Sequence, residues 1–118
     1  MVDYQCIRLA SENDISVVCL VDDKVMDAER VALLGNELLS LADSGDGGKV
    51  LINLDNVRFL SSAAINKLIV LERRLRDTGG DLKISNLRPE VEEVFNITQL
   101  HTVFDICPDA EAAMNSFD

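Results

Sequence analysis

Apolar and polar positions alternate early in the chain, lengthen to a helical period, and then shorten again. Ile7 and Leu9 alternate with polar neighbours, Glu12-Asn13-Asp14 supplies turn residues, and Ile15-Ser16-Val17-Val18-Cys19-Leu20-Val21 follows as a β-branched apolar run. This predicts two strands joined as a hairpin. From Asp27 to Ala42 the apolar positions Val31, Leu34, Leu38 and Leu41 recur at helical spacing, with Asp27 and Glu29 near the start, where the helix dipole favours acids. Asp43-Ser44-Gly45-Asp46-Gly47-Gly48 breaks that pattern.

Val50-Leu51-Ile52-Asn53-Leu54 is almost continuously apolar, as expected of a central strand covered on both faces of a largely parallel sheet. Ala64, Leu68, Leu71 and Leu75 then form one helical stripe, with Lys67, Glu72, Arg73 and Arg76 lying largely away from it. Gly79-Gly80 suits a left-handed helix end. Leu82 and Ile84 mark another strand, and Pro89 opens a helix through Val91, Val94 and Phe95 to about Thr98. Val103-Phe104-Asp105-Ile106 reads as a last short edge strand, and Pro108 to Met114 as a closing helix. Helices interleaved with strands predict an α/β sheet with right-handed crossovers, to which the hairpin adds an antiparallel member. Without repeats, low-complexity tracts or a long linker, residues 1–118 are expected to form one domain.

Composition narrows the function classes. Trp is absent and aromatic residues are only 4%, so an aliphatic core is expected, and neither a cofactor cage nor a base-stacking platform is. Twenty-one acidic against 11 basic side chains give a net charge of −10, which repels a nucleic-acid backbone and favours a more basic protein surface as partner. Arg73, Arg74 and Arg76 are the densest basic group, spaced as a solvated helix face. Cys6, Cys19 and Cys107 are odd in number and far apart, so they read as reduced, mostly buried thiols. No leader-like pattern and no apolar run near the ~18 residues of a membrane span occurs, and the expectation is a cytoplasmic protein.

Catalytic and metal-binding patterns are missing too. His101 is the only histidine, G-x-S-x-G is absent, and the cysteines lack metal-ligand spacing, so neither enzyme activity nor a cofactor is expected. Gly45-Asp46-Gly47-Gly48-Lys49 precedes a strand instead of following one and has no Ser or Thr after the lysine, so it reads as a connector rather than a phosphate loop. Asp22-Asp23 and Glu92-Glu93 read as solvated acidic faces.

The informative segment is Val57-Arg58-Phe59-Leu60-Ser61-Ser62-Ala63-Ala64-Ile65-Asn66-Lys67, which runs from a buried strand through two hydroxyls into a helix. A serine at a helix start caps free backbone N–H groups, and a phosphate there meets the same donors and the positive end of the helix dipole. Ala63 and Ala64 keep the first turn small enough for another surface to approach closely.

On these residues the chain resembles the STAS family, typified by bacterial anti-sigma factor antagonists. The likeness is sharpest in Val50 to Leu54, Val57 to Leu60 and Ser61-Ser62-Ala63-Ala64-Ile65, and extends to Gly79-Gly80, Leu82-Lys83-Ile84 and Leu100 to Ile106. Ser61 stands at the family's acid, Ala64 at its glycine, and Asn53 where an aspartate is frequent. The resemblance implies a single STAS domain with a four- to five-stranded mixed sheet flanked by helices. It also implies phosphorylation of Ser62, with Ser61 as the alternative, and a partner surface of Ser61, Ser62, Ala63, Ala64, Asn66 and Lys67. The implied partners are an anti-sigma factor that is itself a serine kinase, and a phosphatase that resets the switch. The alternatives are a STAS interaction module of a lipid-transport or signalling complex that never carries phosphate, and a nucleotide-binding protein.

Overall fold

Asn13 and Asp14 both take positive φ, 53° and 66°, and close a tight hairpin between β1 (Ile7–Glu12) and β2 (Ile15–Leu20), with Glu12 opposite Ile15. Their short polar side chains tolerate this left-handed region, and a turn of this hand matches the twist of the strands it joins. The coordinates are a computed structural model that describes residues 4–43 and 48–117. Ser44 to Gly47, in the middle of the expected break and of the glycine-rich connector, therefore lie outside the described residues.

After β2 the chain runs through β3 (Lys24–Val25), α1 (Ala28–Asp43), β4 (Lys49–Asn53), β5 (Phe59–Leu60) and α2 (Ser62–Asp77). It continues through β6 (Asp81–Ser85), α3 (Pro89–Ile97), a short 3-10 helix (Leu100–Thr102), β7 (Asp105–Cys107) and α4 (Ala110–Ser116). The main sheet has the order β1-β2-β4-β6-β7; β1 is antiparallel to β2 and all other neighbours are parallel. This five-stranded mixed sheet with helices matches the expected α/β architecture, and β4 is its central strand.

The nearly continuous apolar run of β4 has the cause inferred for it. Val50 and Ile52 join the core that holds the stripes of α1 and α2, whereas Leu51 joins Ile15 and Ala113 under α4. All three are fully buried. The α1 and α2 helices approach closely at Gly35, where a Cβ would fall 2.6 Å from Cδ of Lys67. At its far end α2 stops because Gly79 takes φ 82°, letting the N–H of Gly80 bond the Leu75 carbonyl and that of Gly79 bond the Arg76 carbonyl.

Several boundaries differ from the pattern-based expectation, each for a local reason. Asp27 caps α1 from outside: its carboxylate accepts the Arg30 N–H and its carbonyl accepts that of Val31. Asp109 likewise caps α4 through the Ala112 N–H, so the closing helix begins after Pro108 and reaches Ser116. The last strand starts at Asp105 because the N–H groups of Val103 and Phe104 both bond the Leu100 carbonyl, holding that segment in a helical turn. Asp22 is not simply solvated; it is half-buried and accepts two hydrogen bonds of 2.9 Å from Arg30. Glu37, buried on α1, accepts the N–H groups of Gln5 and Cys6 at 2.8 Å and ties down the segment before β1. Cys6, Cys19 and Cys107 are free thiols, and burial pushes the Cys6 thiol above its ordinary range.

On the opposite face, Lys83 of β6 is buried beneath the C-terminal segment. It pairs with Asp105, and its ammonium sits 5.2 Å from the Phe117 ring centroid. The hydrogen bond to Asp105 raises the Lys83 pKa above 10.5, against the opposing cost of desolvation.

Leu68→Ala, which empties a site in the middle of α2, is expected to destabilise the protein by about 3 kcal/mol in urea unfolding; a loss below about 1 kcal/mol would place Leu68 outside the packed core. Because the Lys83 pKa is raised on folding, its contribution is complete below the ordinary value and is lost as pH rises through the folded value. Stability measured above pH 10.5 should therefore fall more steeply for the parent than for Lys83→Met, and parallel curves would contradict the pairing.

Candidate functional site

Two short parallel strands, rather than the main sheet alone, position the serine pair. Past β4, the Asn53 side chain accepts the Asp55 N–H at 2.8 Å, and the Asn56 amide donates to the Val21 carbonyl at 2.6 Å. The Asp23 carbonyl then accepts the N–H groups of Arg58 and Phe59, and β5 pairs with β3, Lys24 opposite Phe59 and Val25 opposite Leu60. The Ser61 N–H donates to the Val25 carbonyl at 2.9 Å. Val57 and Leu60 are buried, so the chain reaches Ser61 anchored by both backbone bonds and core contacts.

Ser61 is extended, with φ −69° and ψ 163°, and its hydroxyl accepts the Ala64 N–H at 3.1 Å. Its carbonyl accepts the Ile65 N–H at 2.9 Å. Ser61 is therefore the N-cap, and Ser62 is the first residue of α2. The first-turn N–H groups of Ser62 and Ala63 have no intrahelical acceptor, and no acidic side chain occupies that turn. The positive end of the dipole is thus left without a counter-charge from its own helix.

The residues expected to form one surface are divided by the fold. Ser62, Ala63 and Asn66 are exposed, Ser61 is half-buried at its cap, and Lys67 is half-buried with its stem across Gly35. Ala64 departs from that expectation: it is fully buried in the core between α2 and its neighbours, so its small side chain serves close packing. His101 is exposed on the 3-10 helix and makes no hydrogen bond to either serine among the described residues. No group of three potential metal ligands occurs among the described residues, and no helix there is long and apolar enough to cross a membrane.

Pattern reading missed a groove beside the junction. It is a shallow, open groove of about 40 Å³ between β5 and α3, lined by Phe59, Leu60, Ile65, Val91, Val94 and Phe95, with Arg58 on the β5 side and Glu90 on the α3 side. Phe59 is 45% exposed and Val94 38%, while Ile97 at 74% continues the Glu90–Val94 face along α3. The available signal was Ile97, which falls off the Val91–Phe95 stripe that buries α3.

Residues 9–113 match the STAS domain family. Among curated proteins, BtrV of Bordetella bronchiseptica, described as an anti-sigma factor antagonist, is 29% identical over 101 residues, covering 86% of this chain and 84% of that protein. The anti-sigma-B factor antagonist of Bacillus subtilis is 27% identical over 104 residues, covering 88% and 91%. The fold is shared with the Bacillus cell-fate determinant SpoIIAA in its phosphorylated form, with a TM-score of 0.70, 17% identity, and coverage of 94% of this chain and 99% of that one. With its mixed sheet and the strand-to-helix junction at Ser61, this chain belongs to the STAS domain family.

Proposed function

We propose that the chain is an anti-sigma factor antagonist, switched by phosphorylation of Ser62. The observation that carries this reading is an exposed hydroxyl on the first residue of α2, while the cap of that helix is held separately by Ser61. In this reading the unphosphorylated form binds an anti-sigma factor that is also a serine kinase, through Ser61, Ser62, Ala63, Asn66 and the exposed part of Lys67. The kinase supplies the catalysis: Ser62 Oγ attacks the γ-phosphorus of ATP, its proton passes to a base of the kinase, and ADP leaves. A phosphatase resets it by hydrolysis: water attacks the phosphorus, the P–Oγ bond breaks, Ser62 Oγ regains a proton and inorganic phosphate leaves, and the cycle runs in the cytoplasm. That SpoIIAA is described in a phosphorylated form, and that the curated relatives are described as antagonists, supports the reading.

Phosphate would add about −1.5 to −2 charge to a protein already at −10. At the start of α2 this charge faces free N–H groups and the positive helix end, so it is compatible with the fold. Across an interface the same charge must be desolvated or paired, so it acts on the complex rather than on the scaffold.

Loss of the cap and loss of the acceptor are separable. Ser61→Ala should cost about 1 kcal/mol in urea unfolding, and Ser62→Ala less than about 0.5 kcal/mol; equal losses would contradict the division of roles. Phosphopeptide mapping of the protein from its native cell should place phosphate on Ser62, and phosphate on neither serine would leave a binding module without a switch. Ser62→Asp should weaken binding to the co-purifying kinase at least about tenfold by calorimetry, with the helical signal in circular dichroism retained. Ser62→Ala should bind as the parent does.

A further inference from the structure

We infer that the groove between β5 and α3 is the docking site for a helix of the kinase that phosphorylates Ser62, presenting an apolar ridge with a carboxylate on its β5 side. This rests on the phosphorylation reading above and adds how the acceptor is recognised. Ser62 lies within a capped helix whose preceding residue is bonded into β3, so it cannot be drawn into an extended peptide slot without breaking the Ser61 bonds to Val25 and Ala64. The first turn presents only Ser62, Ala63, the buried Ala64 and Ile65, which offer little for a kinase to select on. Selection must then come from neighbouring folded surface.

The groove begins where that turn ends. Ile65, three residues after Ser62, lines it, and its walls hold Phe59 and Val94, with Ile97 extending one wall into solvent. Three of the exposed large apolar side chains, Phe59, Val94 and Ile97, thus gather along one feature, as in grooves that take an amphipathic helix.

The charges on the two walls select the occupant. On the β5 side stand Arg58 and Lys24, the latter opposite Phe59, and neither forms an ion pair among the described residues. On the α3 side stands Glu90. An amphipathic helix with a carboxylate towards Arg58 and Lys24 and a cation towards Glu90 complements both walls. A second copy of this chain is opposed by the mutual repulsion of two molecules at −10.

The test is the initial rate of label transfer from γ-32P-labelled ATP to the 118-residue chain, with native-cell extract as the kinase source, as a function of chain concentration. Ile97→Asp, and Val94→Asp with Ile97→Asp, alter exposed side chains and should raise the KM for Ser62 labelling about tenfold, leaving kcat within about twofold. Val103→Asp, an exposed apolar position on the segment after the 3-10 helix, should behave as the parent. Unchanged KM for both groove variants, with Ser62 still labelled, overturns the docking site alone. Absence of label from Ser62 of the parent overturns the switch reading, and the docking site with it. Chain size should be independent of concentration in sedimentation equilibrium; dimerisation abolished by Ile97→Asp would assign the groove to a second copy and overturn the kinase assignment.

Discussion

The hydrogen bond from the Ala64 N–H to the Ser61 hydroxyl lets the helix cap and the proposed phosphoacceptor be different serines. A helix start needs an acceptor for its free donors, and a switch needs a hydroxyl that is free to react. With Ser61 serving as the acceptor, Ser62 stands one residue further on, exposed, at the positive end of a helix whose first turn has no acid of its own. An oxygen at the capping position is the constraint here, and the Ser61 hydroxyl supplies it.

That arrangement is useful only if the junction is rigid, and the rigidity comes from both strand systems. The central strand β4 is buried on both faces, and the β3–β5 pair then fixes Phe59, Leu60 and the Ser61 N–H. Neither element bears Ser62, yet both set its position. The stripe of Ala64, Leu68, Leu71 and Leu75 holds the rest of α2 against the sheet and α1, so a charge added at its first residue need not propagate into the core. The same pair of short strands presents Phe59 to one side of the groove, so the proposed docking surface and Ser62 are joined through a shared backbone.

Most of the architecture was legible because burial imposes periodicity. Val50, Leu51 and Ile52 announce a doubly covered strand, the Asp27–Ala42 pattern gives α1 to within a residue, and the Ala64–Leu75 stripe places the body of α2. Elements too short or too dependent on a single backbone bond to show a period were not legible. The two-residue strands β3 and β5 are too short for a period, and the helical turn that delays β7 depends on which carbonyl Val103 and Phe104 find. At the site, the cap and the hydroxyl pair could be read from Ser61 and Ser62, but the burial of Ala64 and the path of Lys67 over Gly35 depend on how α1 meets α2. The groove was hidden for a related reason: Val94 resembles a core position in sequence, and only the placement of α3 beside β5 leaves it exposed.

The central claim is that α2 keeps its structure when Ser62 carries a phosphate. Amide hydrogen exchange by NMR on the chain carrying phosphoserine at position 62 tests it most directly. The account predicts that Leu68 to Leu75 keep the protection they have in the unmodified chain, with shifts confined to the first turn and its β3–β5 neighbours. Loss of protection along α2 would mean that the phosphate acts by unfolding the helix, and would contradict the account.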